Sequence, residues 1–266
     1  MNVSTTNKWL VCPTPKPHAK ARLFCFPYAG GAANIYRNWQ QRLPASIEVC
    51  PVQIPGRGNR LSEAPYKDLL LLVEAVGEAL LPYLDKPFAF FGHSMGALIG
   101  FELAHLLRNQ QEPEPTQLFV SGRCAPQAGK MDEPTYALPE GEFIEELRRL
   151  KGTPREALEQ PELMQMMLPI IRADFEVCQT YEYTLRSPLT CPIKAYGGLQ
   201  DDEVTRADLE AWGQHTSANT RLRMFPGDHF FLHSSAPALL QSLARDLSVV
   251  NLNSIPAASS YLNSGA

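Results

Sequence analysis

A serine between two glycines is the feature of this sequence with the clearest chemical meaning. Residues 92–96 read Gly-His-Ser-Met-Gly, preceded by an apolar, strand-like run and followed by a helix-forming one. A sharp turn from strand to helix strains the backbone of the serine, and flanking glycines avoid side-chain collisions there. On such a turn Ser94 Oγ projects above a sheet, and the N–H of Met95 faces the negative oxygen that develops during attack. We therefore predict that Ser94 is a nucleophile; the alternative is a glycine-rich turn whose serine caps a helix.

A histidine must stand beside this serine, because a serine hydroxyl is a poor nucleophile near neutral pH without a base. An acid then orients the base, and in one large class of hydrolases the acid and the histidine follow the serine in that order. His229 meets this requirement best, since it lies in a turn just after the last predicted strand. His233 is placed in the cap of the following helix. His93 and His105 precede the acid in the chain. His18 lies in the polar N-terminal segment, and His215 is expected to be exposed at the end of a helix.

The acid is expected at the end of the strand that comes before the one preceding His229. Asp201 and Asp202 are adjacent candidates there, and the spacing Gly198-Leu-Gln-Asp201, with a valine three residues further on, favours Asp201. Asp228 adjoins His229 in the chain, but consecutive side chains diverge, so we expect it to be a turn residue. Asp201 is the predicted orienter, and Asp202 stays open as the alternative.

A glycine-rich loop after the first predicted strand can supply a second donor to the oxyanion. The segment LFCFPYAGGAA (23–33) runs from β-type residues straight into two glycines. Pro27 has no N–H, so we assign the donation to Ala29, paired with Met95. The loop lacks both the Lys-Ser/Thr of a phosphate-binding loop and the G-x-G-x-x-G spacing of a dinucleotide site. A nucleotide-binding loop is therefore not expected here.

The elements that must position these residues alternate along the chain. Segments rich in β-branched and aromatic residues predict strands, and segments with helical spacing lie between them. Such alternation predicts an α/β fold, with a mostly parallel sheet and helices on both of its faces. The predicted strands are 23–26, 49–54, 88–91, 118–121, 193–196 and 222–225, and the predicted helices are 34–43, 69–84, 97–107, 209–214 and 238–247.

One stretch, from Gln127 to about Ser187, breaks this alternation because it holds helical patterns and no good strand. It is either a lid over the strand ends or extra helical packing, and its position favours a lid. We expect residues 1–250 to form a single α/β domain with the insertion at about 127–187. Residues 251–266 are rich in Ser, Asn and Ala, and we expect a flexible tail there.

The composition suits a packed globular domain and excludes several other classes of protein. Of 266 residues, 44% are hydrophobic and 20% charged, with a formal net charge of −4. Without a long Lys/Arg block, nucleic-acid binding is not expected. The N-terminal residues lack the apolar core of a secretory signal, and no run of about 18 apolar residues could span a bilayer. Six cysteines without C-x-x-C or Cys/His spacing predict reduced thiols and no metal site. We expect a soluble, cytoplasmic protein that does not bind membranes.

Six segments together resemble the type II (stand-alone) thioesterases of polyketide and nonribosomal-peptide synthesis. FPYAGG, PGR and PG-x-HFFL are the specific ones, whereas GHSMG is shared with many hydrolases. The segments fall in the family's order, at 23–33, 52–60, 90–104, 121–126, 168–175 and 225–232. The resemblance implies an α/β-hydrolase fold with a mobile helical lid. It also implies that acyl or aminoacyl groups are hydrolysed, without a cofactor, from the phosphopantetheine arm of carrier proteins, to clear stalled or mis-primed units.

Carried over to this chain, the resemblance assigns Ser94 as nucleophile, His229 as base and Asp201 as orienter. It assigns the N–H groups of Ala29 and Met95 as oxyanion donors. The family often has proline after the acid, where this chain has an aspartate. A medium-chain acyl-carrier-protein hydrolase and a dedicated product-release enzyme stay open as alternatives. An ester hydrolase or lipase does not account for FPYAGG and PGR, and the complete triad disfavours a catalytically silent partner protein.

The expected partners are acyl or peptidyl carrier protein domains, and the chain is expected to be a monomer. The resemblance implies that these carrier proteins are acidic, so docking is expected to need a local basic surface. The candidates are Arg148–Arg155, in the proposed lid, and the pair Arg57 and Arg60. The alternatives are a solvated helix face paired with nearby glutamates, and arginines that brace a loop.

Overall fold

Six parallel strands form the centre of the fold. The computed structural model describes residues 7–11, 16–128, 134–153 and 155–249. The strands are β1 (Ala21–Phe26), β2 (Ile47–Pro51), β3 (Phe88–His93), β4 (Gln117–Ser121), β5 (Ile193–Gly198) and β6 (Thr220–Phe225). Their order across the sheet is β2-β1-β3-β4-β5-β6, and every neighbouring pair is parallel. The predicted parallel sheet is confirmed, and the loops after the strands converge at its carboxyl edge.

Helices cover both faces of this sheet. They are α1 (Leu69–Leu80), α2 (Met95–Asn109), α3 (Glu140–Leu150), α4 (Arg155–Leu158), α5 (Pro161–Gln179), α6 (Arg206–Glu210), α7 (Phe231–Ser234) and α8 (Ala236–Val249). One face packs on α1 and α2 in a core that includes Phe90 and Leu103. The other face packs on α8 in a core that includes Phe91 and Leu243. Phe90 and Phe91 enter opposite cores because successive side chains of a strand point to opposite faces.

The segment predicted as a helix over 34–43 forms short 3-10 turns within residues 33–41 instead. Its side chains form hydrogen bonds with the backbone of β1 and β2. Tyr36 Oη donates to the carbonyl oxygen of Phe26 at 2.7 Å, and the Gln40 amide bonds both a carbonyl and an N–H of β2. These bonds tie the segment to the sheet edge, and a continuous helix would have to break them.

The other predicted helices are present with shifted ends. The helix predicted over 69–84 gives α1, which stops two residues before Pro82 because proline offers no N–H to the helical hydrogen bonds. The segment predicted as a helix over 209–214 is mostly a 3-10 helix, Ala211–His215. The α-helix before it, α6, ends at Glu210 and begins three residues before the predicted start. There the side chain of Thr205 accepts from the N–H of Asp208 while the Asp208 carboxylate accepts from the N–H of Thr205.

The stretch that breaks the alternation is helical, as predicted. It holds α3, α4 and α5, and no strand occurs among its described residues. These helices share a small core, separate from the two cores of the sheet, made of Phe143, Leu147, Leu158, Met164, Leu168 and Ile171. The predicted tail at 251–266 lies outside the described residues. Within the ranges that the structure covers, no helix has both the length and the apolar character needed to cross a bilayer.

Candidate active site

Ser94 lies on a sharp turn between β3 and α2, with φ 52° and ψ −113°. Such a backbone conformation costs a residue other than glycine about 1–3 kcal/mol, so the surroundings must hold it. The N–H of Ser94 donates to the carbonyl oxygen of Ser121 in β4 at 2.8 Å. A Cβ on Gly92 would lie 2.0 Å from the carbonyl oxygen of Gly96, and a Cβ on Gly96 would lie 2.1 Å from that of Phe26. Only glycine fits at either position, as the sequence pattern predicts.

His229 and Asp201 lie in the loops that follow β6 and β5, which are neighbours in the sheet. Nδ1 of His229 lies 2.9 Å from Oδ2 of Asp201. The Asp201 side chain is completely buried, and its Oδ1 accepts from the N–H groups of Glu203 (2.8 Å) and Val204 (3.2 Å). Asp202, in contrast, is exposed. The structure therefore brings His229 together with Asp201, the first of the two predicted acids.

The two predicted oxyanion donors lie at the end of β1 and at the start of α2. The close approach of Gly96 to the carbonyl oxygen of Phe26 brings these two segments together. In the loop after β1, the N–H of Gly30 already donates to a carboxylate at 2.7 Å and that of Gly31 to a carbonyl at 2.8 Å. The N–H groups of Ala29 and Met95 donate no hydrogen bond within the described part of the chain. The role of oxyanion donor requires such unpaired N–H groups, and it stays a prediction for both residues.

A buried salt bridge holds the loop that carries Ala29. Arg57 donates to the two oxygens of Asp174 at 2.6 and 2.8 Å, and to the carbonyl oxygen of Gly31 at 3.2 Å. Oδ2 of Asp174 also accepts the N–H of Gly30. This network, the Arg57–Asp174 clamp, joins the glycine-rich loop, the PGR segment and α5. Asp174 was missed by sequence reasoning, because its partner lies 117 positions away.

Both basic clusters considered for docking are largely paired among the described side chains. Arg57 and Arg60 are buried and each bonds a carboxylate, so the prediction of a docking surface there is wrong and the bracing alternative is correct. On α3, Arg148 and Arg149 are paired with glutamates of the same helix. Arg149 also donates to Glu203, in the loop after β5, at 2.8 Å. The alternative of a paired helix face therefore describes α3 better than a free basic patch.

His93, the neighbour of the candidate nucleophile, is a buried neutral residue. Its Nδ1 lies 2.9 Å from Oγ of Ser121, and its ring centroid is 5.1 Å from that of His229. Burial, and then the positive charge that His229 and His233 can carry, lower the pKa of His93 well below its ordinary value. A neutral ring at this place adds no positive charge that would oppose protonation of His229.

His215 is buried, and the expectation of an exposed helix end is wrong. Its ring packs on those of Phe101 and Trp212, with centroids 5.1 and 5.6 Å away. Trp212 lies on the same short 3-10 helix as His215, whereas Phe101 comes from α2, which is distant in sequence. Burial lowers the pKa of His215 to about 4. His233, the weaker alternative for the base, lies 3.0 Å from the hydroxyl of Tyr28 through its Nε2.

A cavity of about 950 Å³ joins the candidate residues to the helical insertion. Ala29, Ser94 and His229 line it on the side of the sheet. Arg123, in the loop after β4, lines it as well and was not singled out from the sequence. The volume falls within the range of clefts that enclose a small organic ligand. The insertion contributes side chains of α3 and α5: Glu146, Leu147, Arg149, Leu150, Ile171, Phe175, Cys178 and Gln179.

Thiol and metal chemistry find little support among the described residues. They contain no group of three or more His, Cys, Asp or Glu side chains that could hold a metal ion, and none of their five cysteines forms a disulfide. Cys124 and Cys178 line the cavity. Burial raises the pKa of Cys178 to about 11, so its thiol stays protonated near neutral pH. Ser94 remains the candidate nucleophile.

Comparison with known families identifies the class of hydrolase. The model of the thioesterase domain matches residues 21–247. The chain belongs to the thioesterase family. This thioesterase is an enzyme that hydrolyses thioesters on an α/β-hydrolase fold, as the resemblance implied.

Relatives and a solved structure agree with that assignment. The thioesterase is 51% identical to linear gramicidin dehydrogenase LgrE of Brevibacillus parabrevis, over 88% of this chain and 90% of the relative. It is 46% identical to the gramicidin S biosynthesis protein GrsT of Aneurinibacillus migulanus, over 93% and 97%. The structure of the type II thioesterase BorB from the borrelidin biosynthetic cluster superposes with a TM-score of 0.83, at 36% identity, over 90% of this chain and 98% of that one.

The first relative carries the name of a dehydrogenase. In the present chain the glycine-rich loop lacks dinucleotide-binding spacing, and the family match is to thioesterases. The predicted resemblance to type II thioesterases is confirmed.

Proposed function

We propose that this thioesterase removes acyl and aminoacyl groups from the phosphopantetheine arm of carrier proteins. It would clear stalled or mis-primed units of a nonribosomal-peptide or polyketide synthase, as a cytoplasmic monomer. The observation that carries the chemistry is the hydrogen bond of His229 to Asp201, together with the strained Ser94 that lines the same cavity as His229. The pathways named for the relatives support the choice of substrate.

The proposed reaction has two steps that share one base. Ser94 Oγ gives its proton to Nε2 of His229 and attacks the thioester carbonyl carbon, and the resulting oxyanion accepts from the N–H groups of Ala29 and Met95. The C–S bond then breaks, and the pantetheine sulfur leaves as a thiol with the proton from His229. In the second step His229 takes a proton from a water molecule that attacks the acyl carbon. The bond between this carbon and Ser94 Oγ then breaks, His229 returns the proton to Oγ, and the free acid departs.

Asp201 supports both steps without touching the substrate. Its carboxylate accepts a hydrogen bond from Nδ1–H of His229, which leaves Nε2 as the basic nitrogen. The same bond stabilises the imidazolium that forms twice per turnover. Removal of one oxyanion donor from a serine hydrolase lowers kcat about 10²–10³-fold. These steps use no cofactor.

We propose further that residues 127–187 act as a lid over the cavity, within a single domain of residues 1–250. Support comes from the side chains that α3 and α5 contribute to the cavity wall, and from the small core that these helices share. An acyl chain that reaches Ser94 must pass beside these helices, so lid opening would limit the entry of bulky chains.

A panel of thioesters tests the proposed function. The same acyl groups are offered on carrier proteins, on coenzyme A and on N-acetylcysteamine, and kcat/KM is measured for each. We expect carrier-protein thioesters to be the best substrates, and Ser94→Ala to abolish turnover while the chain stays folded. Preference for medium-chain acyl groups over aminoacyl groups would favour the medium-chain hydrolase instead. A chain that hydrolyses nothing and fails to react with a fluorophosphonate would be a silent partner protein.

A further inference from the structure

Arg123 is a cation of the cavity wall with no anionic partner among the described residues. Its Nε is buried and makes no hydrogen bond, and no carboxylate within the described ranges pairs with its guanidinium. Arg149, the other arginine of the cavity wall, bonds Glu146 and Glu203. Buried polar groups in native proteins nearly always have partners, so an unpaired guanidinium in a binding cavity calls for one.

The backbone around Arg123 is fixed and close to the reacting residues. Trp212 Nε1 donates to the carbonyl oxygen of Arg123 at 2.8 Å, and the preceding N–H, of Gly122, donates to Tyr196 at 2.9 Å. A Cβ on Gly122 would lie 3.3 Å from Cε1 of His229. The residue just before Arg123 therefore lies close to the proposed base, and the Arg123 side chain extends from a fixed backbone beside the site.

The cavity that Arg123 lines is mixed in polarity. The polar side chains of Thr135, Gln179 and Tyr183, all from the insertion, lie in its wall. A saturated alkyl chain that filled this space would displace water from the guanidinium and leave its N–H groups without acceptors, which is costly in a buried site. An acyl group with an oxygen acceptor would satisfy them, and the planar fork of arginine suits carbonyl and carboxylate oxygens.

We propose that Arg123 binds an oxygen atom of the acyl group, and that it selects acyl chains bearing a carbonyl or carboxylate oxygen over plain alkyl chains. This assignment rests on the proposed function. Peptidyl and β-keto acyl groups carry such a carbonyl, dicarboxylic acyl groups carry the carboxylate, and medium-chain fatty acyl groups carry neither.

The test compares N-acetylcysteamine thioesters whose acyl chains all have five atoms. Pentanoyl is the alkyl reference, and N-acetylglycyl, 3-oxopentanoyl and glutaryl supply an amide, a keto and a carboxylate oxygen. We expect Arg123→Met to lower kcat/KM for at least one oxygen-bearing substrate about tenfold or more, and to leave pentanoyl within about twofold or to raise it. Arg123→Lys, which keeps the charge, should restore part of the loss. The substrate whose kcat/KM falls identifies the kind of oxygen that Arg123 binds.

This inference is overturned if a folded Arg123→Met protein shows the same ratios of kcat/KM between these substrates as the wild type. Folding is checked by thermal unfolding and by the rate of fluorophosphonate labelling at Ser94. If the variant does not fold, the wild-type chain decides: a preference for pentanoyl over all three oxygen-bearing substrates contradicts the role of Arg123. If the wild type hydrolyses neither these thioesters nor the same acyl groups on carrier proteins, the proposed function fails. Calorimetry with the Ser94→Ala variant then measures its affinity for the same thioesters. A higher affinity for an oxygen-bearing thioester than for pentanoyl would support the role of Arg123 independently of hydrolysis.

Discussion

Asp201 is held by hydrogen bonds that leave its carboxylate a single orientation. Two backbone N–H groups fix Oδ1, and His229 bonds Oδ2, in a place with no exposure to water. Because the carboxylate is fixed before substrate arrives, little reorganisation accompanies formation of the imidazolium. Asp202, the next residue, is exposed and provides a natural control.

Asp201→Asn should lower kcat by about 10³–10⁴-fold, because an amide at this position stabilises the wrong tautomer of His229. Asp202→Asn should stay within about twofold of the wild type, as exposed positions away from a site usually do. Initial rates with one N-acetylcysteamine thioester, together with the melting temperature of each variant, measure both effects. A crippled Asp202→Asn beside an active Asp201→Asn would reverse the assignment of the acid.

Residues that belong to short motifs could be predicted from the sequence, whereas residues defined by a distant partner could not. Ser94, Asp201 and His229 each follow a strand within a few residues, so local spacing was enough to select them. The Arg57–Asp174 clamp joins positions far apart in the chain, and the unpaired state of Arg123 depends on everything around it. Neither the pairing of Arg57 with Asp174 nor the unpaired state of Arg123 can be predicted from neighbouring residues in the sequence.

The glycine-rich loop, the PGR segment and α5 act as one unit through the Arg57–Asp174 clamp. Asp174 accepts the N–H of Gly30, so that amide is occupied, whereas the preceding one, of Ala29, has no partner within the described residues. A bidentate pair with this degree of burial fixes geometry as well as charge. The clamp thus sets the direction of the proposed oxyanion donor without touching substrate itself.

Asp174→Asn should lower kcat about 10- to 100-fold with little change in KM, because a misplaced donor affects the transition state more than the bound substrate. Affinity for a trifluoromethyl-ketone analogue of the substrate should fall by a similar factor. Unpairing a buried charge also costs about 3–5 kcal/mol of stability, which melting experiments will register.

The matched control for the clamp is Glu48→Gln, which removes a carboxylate from another mostly buried pair, with Arg22. This pair lies on β1 and β2, away from the cavity wall, so kcat should stay near that of the wild type even if the melting temperature falls. Arg57→Lys serves where Asp174→Asn does not fold, since it keeps the charge but not the bidentate geometry. Equal loss of kcat in the clamp and control variants at equal loss of stability would show that the clamp is structural only.

At the level of elements, buried strands were easier to predict than the segments beside them. All six strands lie within two or three residues of their predicted ends, because short apolar runs between turn residues have few other ways to be buried. The segment 33–41 has helical spacing but forms 3-10 turns, since Tyr36 and Gln40 bond the sheet. That outcome depends on which backbone groups of β1 and β2 lie within reach.

At the scale of the whole molecule, the described residues pack around three separate cores, and this division bears on how the cavity opens. Two cores lie on the faces of the sheet, and the third holds α3, α4 and α5 together. The insertion is joined to the rest in two different ways. On α5, Val177 enters a core of the sheet and Asp174 belongs to the clamp. On α3, the link through Arg149 and Glu203 is largely exposed.

This asymmetry predicts that α3 moves while the clamped part of α5 stays in place. In native-state hydrogen exchange, the amides of residues 140–150 should exchange more than about a hundredfold faster than those of β1, β3 and β4, because small cores with few links open before the global transition. Glu203→Gln should speed exchange in α3 by a further factor of up to about five, as expected for an exposed ion pair, and leave the strands unchanged. Glu145→Gln removes an exposed ion pair within α3 itself and provides the control, because this pair does not connect α3 to the rest of the fold. Equal protection of α3 and the strands would mean that the insertion is fixed packing, and that substrate enters without movement of a lid.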